Sequence, residues 1–296
     1  MNGVDGVDIR ELDVFVTVAD SGSFSAAARL LDTTQPSVSR TVARLETAVG
    51  VPLVLRTTRQ VRLTEAGAVL AREARQALDQ VETAVTLTRR AARSPGRLTI
   101  AVKPDGDAGL LAAVLPGFEA HLGQHVDLVL AETADLPGAV RTGRADACLV
   151  AGPVDLTELD HDLVLREPRL AVLPSSHRLA CRSHLHRVDL RDEPVLRWPG
   201  LPARLDRFYQ GLAEDDRART VAAPDASDLA EALSLVEFGR GITFLPTSVV
   251  GRFAGRTLRT LPVVDLPPSE LTVAWRTTSR DPALALLIRQ IHDAAR

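Results

Sequence analysis

The sequence predicts an α/β protein built in two parts, and three observations predict it. Residues 9–49 show only helical apolar spacing, and a single long helical pattern follows from Thr64. From Leu98 onward, short β-rich runs alternate with helical segments, the signature of a sheet covered by helices. Between the two stand Pro95 and Gly96, which break the long helix.

The first part is organised around Thr34–Glu46. Thr34 can cap a helix, and Pro36 fits its first turn because its missing N–H has no partner there in any case. Val38, Val42, Leu45 and Val49 form one apolar face. Gln35, Ser37, Ser39, Arg40, Thr41 and Arg44 form the other: short hydroxyls, an amide and two guanidinium groups, suited to base edges and phosphates. Ahead of it, Ile9–Asp20 reads as a helix, and Ser23 caps a second one rich in small residues (Ala26, Ala27, Ala28) that allow close crossing. The short Asp32–Gln35 connection makes this a helix-turn-helix. Gly50-Val51-Pro52 ends the third helix, and Leu55–Thr64 reads as a β-wing carrying Arg56, Arg59 and Arg62. The whole chain has a formal charge of −3, yet Ser37–Thr64 holds five arginines against Glu46. That local excess is a nucleic-acid footprint; the alternative is a merely solvated basic face.

In the long helix from Thr64, Leu70, Ala74, Ala77, Val81, Ala84 and Thr88 repeat at spacings of four and three. Such a narrow seam suits pairing with a second copy of the helix, the alternative being an intradomain core helix.

The second part reads as strand Arg97–Val102, helix Ala108–His121, strand Val126–Ala131, helix Leu136–Arg144 and strand Ala147–Ala151, a parallel arrangement with helices on both faces. Leu163–Arg166 and Arg169–Pro174 cross into a second lobe; Leu271–Arg276 and the helix Pro282–Ala294 return to the first. Ligands in such sheets sit beyond the carboxyl ends of strands and at helix N-termini. On that rule Lys103, Asp105, Glu132, Thr133, Gly152, Arg197 and Trp198 are the candidate ligand-binding residues. Lys103 is the only lysine in the chain. Two readings of it stand: a partner for a carboxylate on a small ligand, or a surface lysine paired with Asp105 or Asp107.

The rest excludes more than it assigns. A chain of 296 residues, 45% hydrophobic, is neither disordered nor membrane-spanning, and residues 1–10 do not resemble a signal peptide; a cytoplasmic location is expected. Cys148 and Cys181 are too few for a disulfide framework, and Cys148 lies in an apolar strand. His177, Cys181, His184 and His186 share a loop but match no closed zinc spacing. No nucleophile elbow, phosphate loop or dinucleotide fingerprint is present, so no catalytic residue, metal or cofactor is expected.

Leu12, Phe15, Ala19, Gly22-Ser23-Phe24, Ala27-Ala28, Leu30, Gln35-Pro36-Ser37, Ser39-Arg40, Leu45-Glu46, Gly50, Pro52-Leu53, Arg56 and Leu63–Gly67 together resemble the LysR-type transcriptional regulators. Val54 stands where that family usually has Phe. Glu167–Pro174, His177–Ala180 and Gly239–Pro246 are similar to the family's landmarks in the second part. The resemblance implies a winged helix-turn-helix DNA-binding domain (1–64), a dimerisation helix and hinge (65–96), and a two-lobed, periplasmic-binding-protein-like effector domain (97–296). Lobe 1 would take about 97–166 and 267–296, lobe 2 about 167–266. Ser23, Gln35, Pro36, Ser37, Ser39, Arg40, Arg44, Arg56 and Arg59 are the expected DNA contacts. The implied partners are double-stranded DNA at pseudo-palindromic promoter sites, a small effector, further copies of the chain as dimer or tetramer, and RNA polymerase; Lys103, Arg197 and two helix N-termini converging on one cleft make a small organic anion the expected effector, and no membrane is expected. The rival is a solute-binding or enzymatic α/β protein with an accessory N-terminal domain.

Overall fold

A computed structural model describes residues 6–56, 61–93, 97–212, 221–253 and 257–296, and these form two units, 1–89 and 90–296.

In the first unit, α1 (Ile9–Ser21) starts at a capping box in which Asp8 accepts from the Arg10 N–H and Glu11 accepts from the Asp8 N–H. Ser23 caps α2 (Phe24–Leu30) by accepting from the Ala26 N–H at 3.3 Å. The turn to α3 (Gln35–Val49) passes through Asp32 in a left-handed conformation. Pro36 occupies the first turn, but the Thr34 side chain makes no cap hydrogen bond, so proline and the preceding extended residue set this start instead. Val38, Val42 and Leu45 are buried against Phe15, Val18, Ala27 and Ala28. Val49 departs from the expected apolar face and is 40% exposed, because Gly50 ends the helix in the left-handed region beside it. β1 (Val54–Arg56) pairs antiparallel with β2 (Val61–Leu63), forming the wing. Glu46 Oε1 accepts from the Leu53 and Val54 N–H groups, tying α3 to the wing, and Val54 is buried. Thr64 caps α4 (Glu65–Arg93) by accepting from the Gly67 N–H. On α4, Ala74 is buried within the chain, whereas Ala77, Val81 and Ala84 are exposed.

The second unit holds two sheets. The first has the order β4 (Val126–Leu130), β3 (Leu98–Val102), β5 (Ala147–Ala151), β12 (Ser269–Arg276), β6 (Leu159–Glu167). Strand alternation sends Leu98, Ile100 and Val102 against α5 (Leu110–Leu122) and α10 (Pro282–Ala294), and Ala101, Cys148 and Val150 against α6 (Leu136–Arg141). The sheet is mixed rather than parallel. β4, β3 and β5 run parallel, but β12 is antiparallel to β5 and β6, because it returns from the other lobe instead of through a helical crossover.

The second lobe is built on β7 (Arg169–Pro174), flanked antiparallel by β10 (Thr243–Pro246) and β11 (Leu258–Pro262). β8 (Pro194–Arg197) pairs parallel with β9 (Val221–Asp225) and bridges to Ile242 beside β10. Helices α7 (Ala203–Tyr209), α8 (Leu229–Glu237) and α9 (Thr247–Val250) complete it. The chain crosses between lobes at 167–169 and again at 263–268. The first crossing is pinned by α9: Ser248 donates its N–H and Oγ–H to Glu167 at 2.7 Å each, and the Thr247 hydroxyl donates to the Pro168 carbonyl.

Candidate DNA-binding surface and inter-lobe cleft

In the first unit, packing Val38, Val42 and Leu45 inward turns the opposite side of α3 outward. Gln35 and Pro36 are exposed at its leading end, with Ser37 and Ser39 half-buried beside them. Arg40 is exposed and donates Nε–H back to the Pro36 carbonyl at 3.3 Å, so its guanidinium lies along the N-terminal half of the helix. Arg44 is exposed but not free: its Nε–H is held by Glu11, which is buried. The Ser23 hydroxyl is engaged in capping α2. Arg62 is exposed on β2; the side chain of Arg56 and the whole of Arg59 lie outside the described residues.

In the second unit a cleft of about 80 Å³ lies between the lobes. Among the predicted residues, Lys103, Asp105, Thr133 and Trp198 line it. Lys103 leaves β3 and meets Glu132, at the end of β4, at 2.8 Å; its Nζ stands 5.4 Å from the Trp198 ring centroid. The lysine therefore pairs neither with Asp105 nor with Asp107. Those two carboxylates are taken by Arg252 of the second lobe, at 2.8 and 3.1 Å. Thr133 Oγ1 is 3.4 Å from the Tyr209 hydroxyl across the cleft, and Tyr209 stacks at a tilt on Trp198.

Three predicted residues do not line the cleft: Glu132, which holds Lys103 from outside it, Arg197 and Gly152. Arg197 points its charge away, onto Asp225 of the neighbouring strand at 2.9 Å, and that pairing raises its pKa. Gly152 adopts φ +97° behind the cleft, packed under α7; a Cβ there would stand 3.2 Å from Leu205 Cδ1 and 3.4 Å from Phe208 Cε1.

Sequence reasoning missed Arg169. It opens β7 and is only 1% exposed, the largest fully buried side chain among the described residues. It lines the cleft with Phe208, Phe244, Leu149 and Ser269. Its Nε–H donates to the Pro267 carbonyl at 2.9 Å and its Nη1–H to the Phe208 carbonyl, and its guanidinium carbon lies 3.7 Å over the Phe208 ring. Its Nη2 has no hydrogen-bond partner among the described residues, and neither has the buried indole Nε1 of Trp198. Burial pushes the pKa of Arg169 down to about 10, which still leaves it charged at neutral pH. The available signal was one arginine interrupting an otherwise apolar strand at the lobe crossing.

A basic, outward-facing helix in a winged helix-turn-helix, followed by a two-lobed α/β unit with a mainly apolar cleft that holds Lys103 and Arg169, defines a DNA-binding, ligand-responsive regulator. Two family models match: "Bacterial regulatory helix-turn-helix protein, lysR family" over residues 9–68 and "LysR substrate binding domain" over 91–296. The chain belongs to the LysR family of transcriptional regulators. It is 30% identical over 285 residues to the Hca operon transcriptional activator HcaR of Escherichia coli K12, covering 94% of this chain and 95% of that one. It is 28% identical over 286 residues to the regulator AlsR of Bacillus subtilis, covering 94% and 93%. The solved structure of full-length BenM matches with a TM-score of 0.59 at 25% identity, covering 97% and 96%. No helix among the described residues is long and apolar enough to cross a membrane.

Proposed function

We propose that the protein controls transcription by holding pseudo-palindromic promoter DNA as a dimer, or a pair of dimers, and by changing that grip when a small organic anion enters the inter-lobe cleft. Gln35, Pro36, Ser37, Ser39 and Arg40 meet base edges in the major groove, with Ser23 beside them. Arg44, Arg56 and Arg59 meet phosphates or the adjacent minor groove. The exposed Ala77, Val81 and Ala84 stripe of α4 supports pairing with the same helix of a second copy.

The observation that carries the effector reading is the cleft wall itself. Two cationic side chains, Lys103 and Arg169, stand inside a pocket otherwise dominated by Leu136, Leu149, Phe244 and Val249. In such low-dielectric surroundings a cation interacts more strongly with a ligand's charge than it would in water. Binding there biases the closure of the two lobes, and that shift in population is what the DNA-bound assembly transmits. RNA polymerase is the natural downstream partner of a regulator so placed. The protein acts in the cytoplasm and turns over no substrate.

The test is retardation of the intergenic DNA upstream of the protein's own gene, with and without carboxylates such as acetate and benzoate. A salt-sensitive shift that one carboxylate alters supports the proposal; a shift insensitive to every anion tried removes the anionic effector from it.

A further inference from the structure

Resting on the reading of the cleft as an anion site, we propose that Arg169 is the residue that receives the effector, that the indole N–H of Trp198 assists it, and that the effector is therefore a small monocarboxylate. Both groups are at least nine-tenths buried, both line the same cleft, and each carries an N–H with no partner among the described residues. Buried donors without acceptors are rare in folded proteins, and two of them on residues lining one cavity favour a ligand that accepts hydrogen bonds. A guanidinium with its Nε–H on the Pro267 carbonyl, its Nη1 on the Phe208 carbonyl, and one face stacked on the Phe208 ring is held in place and cannot swing out to find water. A planar carboxylate is the acceptor that matches its geometry.

Charge balance limits the ligand to one negative charge. Lys103 is already neutralised by Glu132, and Arg252 faces two carboxylates, Asp105 and Asp107. Arg169 is in none of the ion pairs among the described residues, so it is the one cation of the cleft wall with no carboxylate partner, and the extra carboxylate beside Arg252 opposes a second negative charge on the ligand. A phosphate dianion would carry one charge too many and meet Asp105 at the mouth.

The experiment is thermal-shift and calorimetric titration of the full-length protein with acetate, propionate and benzoate, with propionamide and benzamide as neutral counterparts, and with inorganic phosphate. Wild type, Arg169→Gln, Trp198→Phe and Lys103→Ala are compared. The expected result is that a carboxylate raises the melting temperature, its amide and phosphate do not, and Arg169→Gln abolishes the preference for acid over amide. Trp198→Phe, which keeps a ring but loses the N–H, should weaken carboxylate binding about five- to tenfold, and it decides the matter if Arg169→Gln does not fold. Carboxylate binding that survives both variants unchanged but is lost in Lys103→Ala would overturn the role of Arg169 while leaving the anion site standing. Phosphate binding more tightly than every carboxylate would overturn the monocarboxylate assignment. No response of wild type to any anion would overturn the anion reading and this inference with it.

Discussion

Arg44, on the outward face of the third helix, donates its Nε–H to Glu11 of the first helix, and the carboxylate it meets is buried while the arginine is exposed. The same carboxylate accepts from the Asp8 N–H, so one side chain starts α1 and fixes the direction of an arginine on the DNA-facing surface. On the proposed reading, Arg44 would offer its Nη groups to a phosphate from a held position. Replacing Glu11 with Ala removes an acceptor from both donors and should cost about 1–3 kcal/mol of stability in the first unit. It should also weaken DNA binding without changing which sequence is preferred. Calorimetric melting together with binding to specific and scrambled DNA checks this; unchanged melting would show that the pair is incidental.

Gly67 gives a prediction whose sign runs against propensity. In a helix interior, Gly→Ala ordinarily stabilises by about 1 kcal/mol. Here a Cβ at residue 67 would stand 2.0 Å from the Leu53 carbonyl oxygen, a backbone atom that cannot step aside alone. Gly67→Ala should therefore destabilise by about 1–3 kcal/mol through overpacking. A higher melting temperature for the variant would refute the close approach.

Arg40 lies along the leading half of α3, hydrogen-bonded to the Pro36 carbonyl, the part of the helix proposed to meet base edges. Arg40→Ala should cost about 1–3 kcal/mol of binding and relax sequence preference at one position. Binding measured against a set of single-base operator variants separates this from a phosphate contact, which would weaken all sequences alike and reduce the salt slope.

The two cysteines, Cys148 and Cys181, should behave oppositely. Cys181 is exposed; burial pushes the Cys148 thiol from 9.0 up to about 12. A thiol reagent should therefore titrate Cys181 in the native chain and reach Cys148 only after denaturation. The sign for stability follows. Below pH 9 both states keep this thiol protonated; between about pH 9 and 12 the unfolded thiol ionises first, so stability falls as pH rises through that window. Cys148→Ala should remove that contribution to the alkaline decline.

How far the sequence disclosed this molecule depends on the range of the interaction. α3 was legible because Pro36 and the Val38, Val42, Leu45 spacing are local signals. Its end was legible too, at Gly50; only the place of Val49 was not, since it fits the apolar period yet sits exposed where Gly50 turns the chain away. Lys103 lines the cleft, but its partner Glu132 lies 29 residues away and outcompetes the nearby Asp105 and Asp107, which Arg252 draws off from the other lobe. Arg197 seemed equally suited, and a neighbouring strand took its charge through Asp225. Arg169 was passed over because an arginine beginning an apolar strand usually faces solvent; only the folded crossing, with Pro267 and Phe208 closing around it, shows it buried. The parallel run of β4, β3 and β5 was legible, but the direction of β12 was not, because it depends on a return from the second lobe that no local pattern encodes.

The most direct measurement of the central claim is fluorescence anisotropy of labelled upstream DNA titrated with the full-length protein at several salt concentrations, with and without propionate and propionamide. The account predicts binding that weakens steeply with salt, changed by the acid and not by the amide. Binding that ignores salt, or that the acid and its amide change alike, would contradict it.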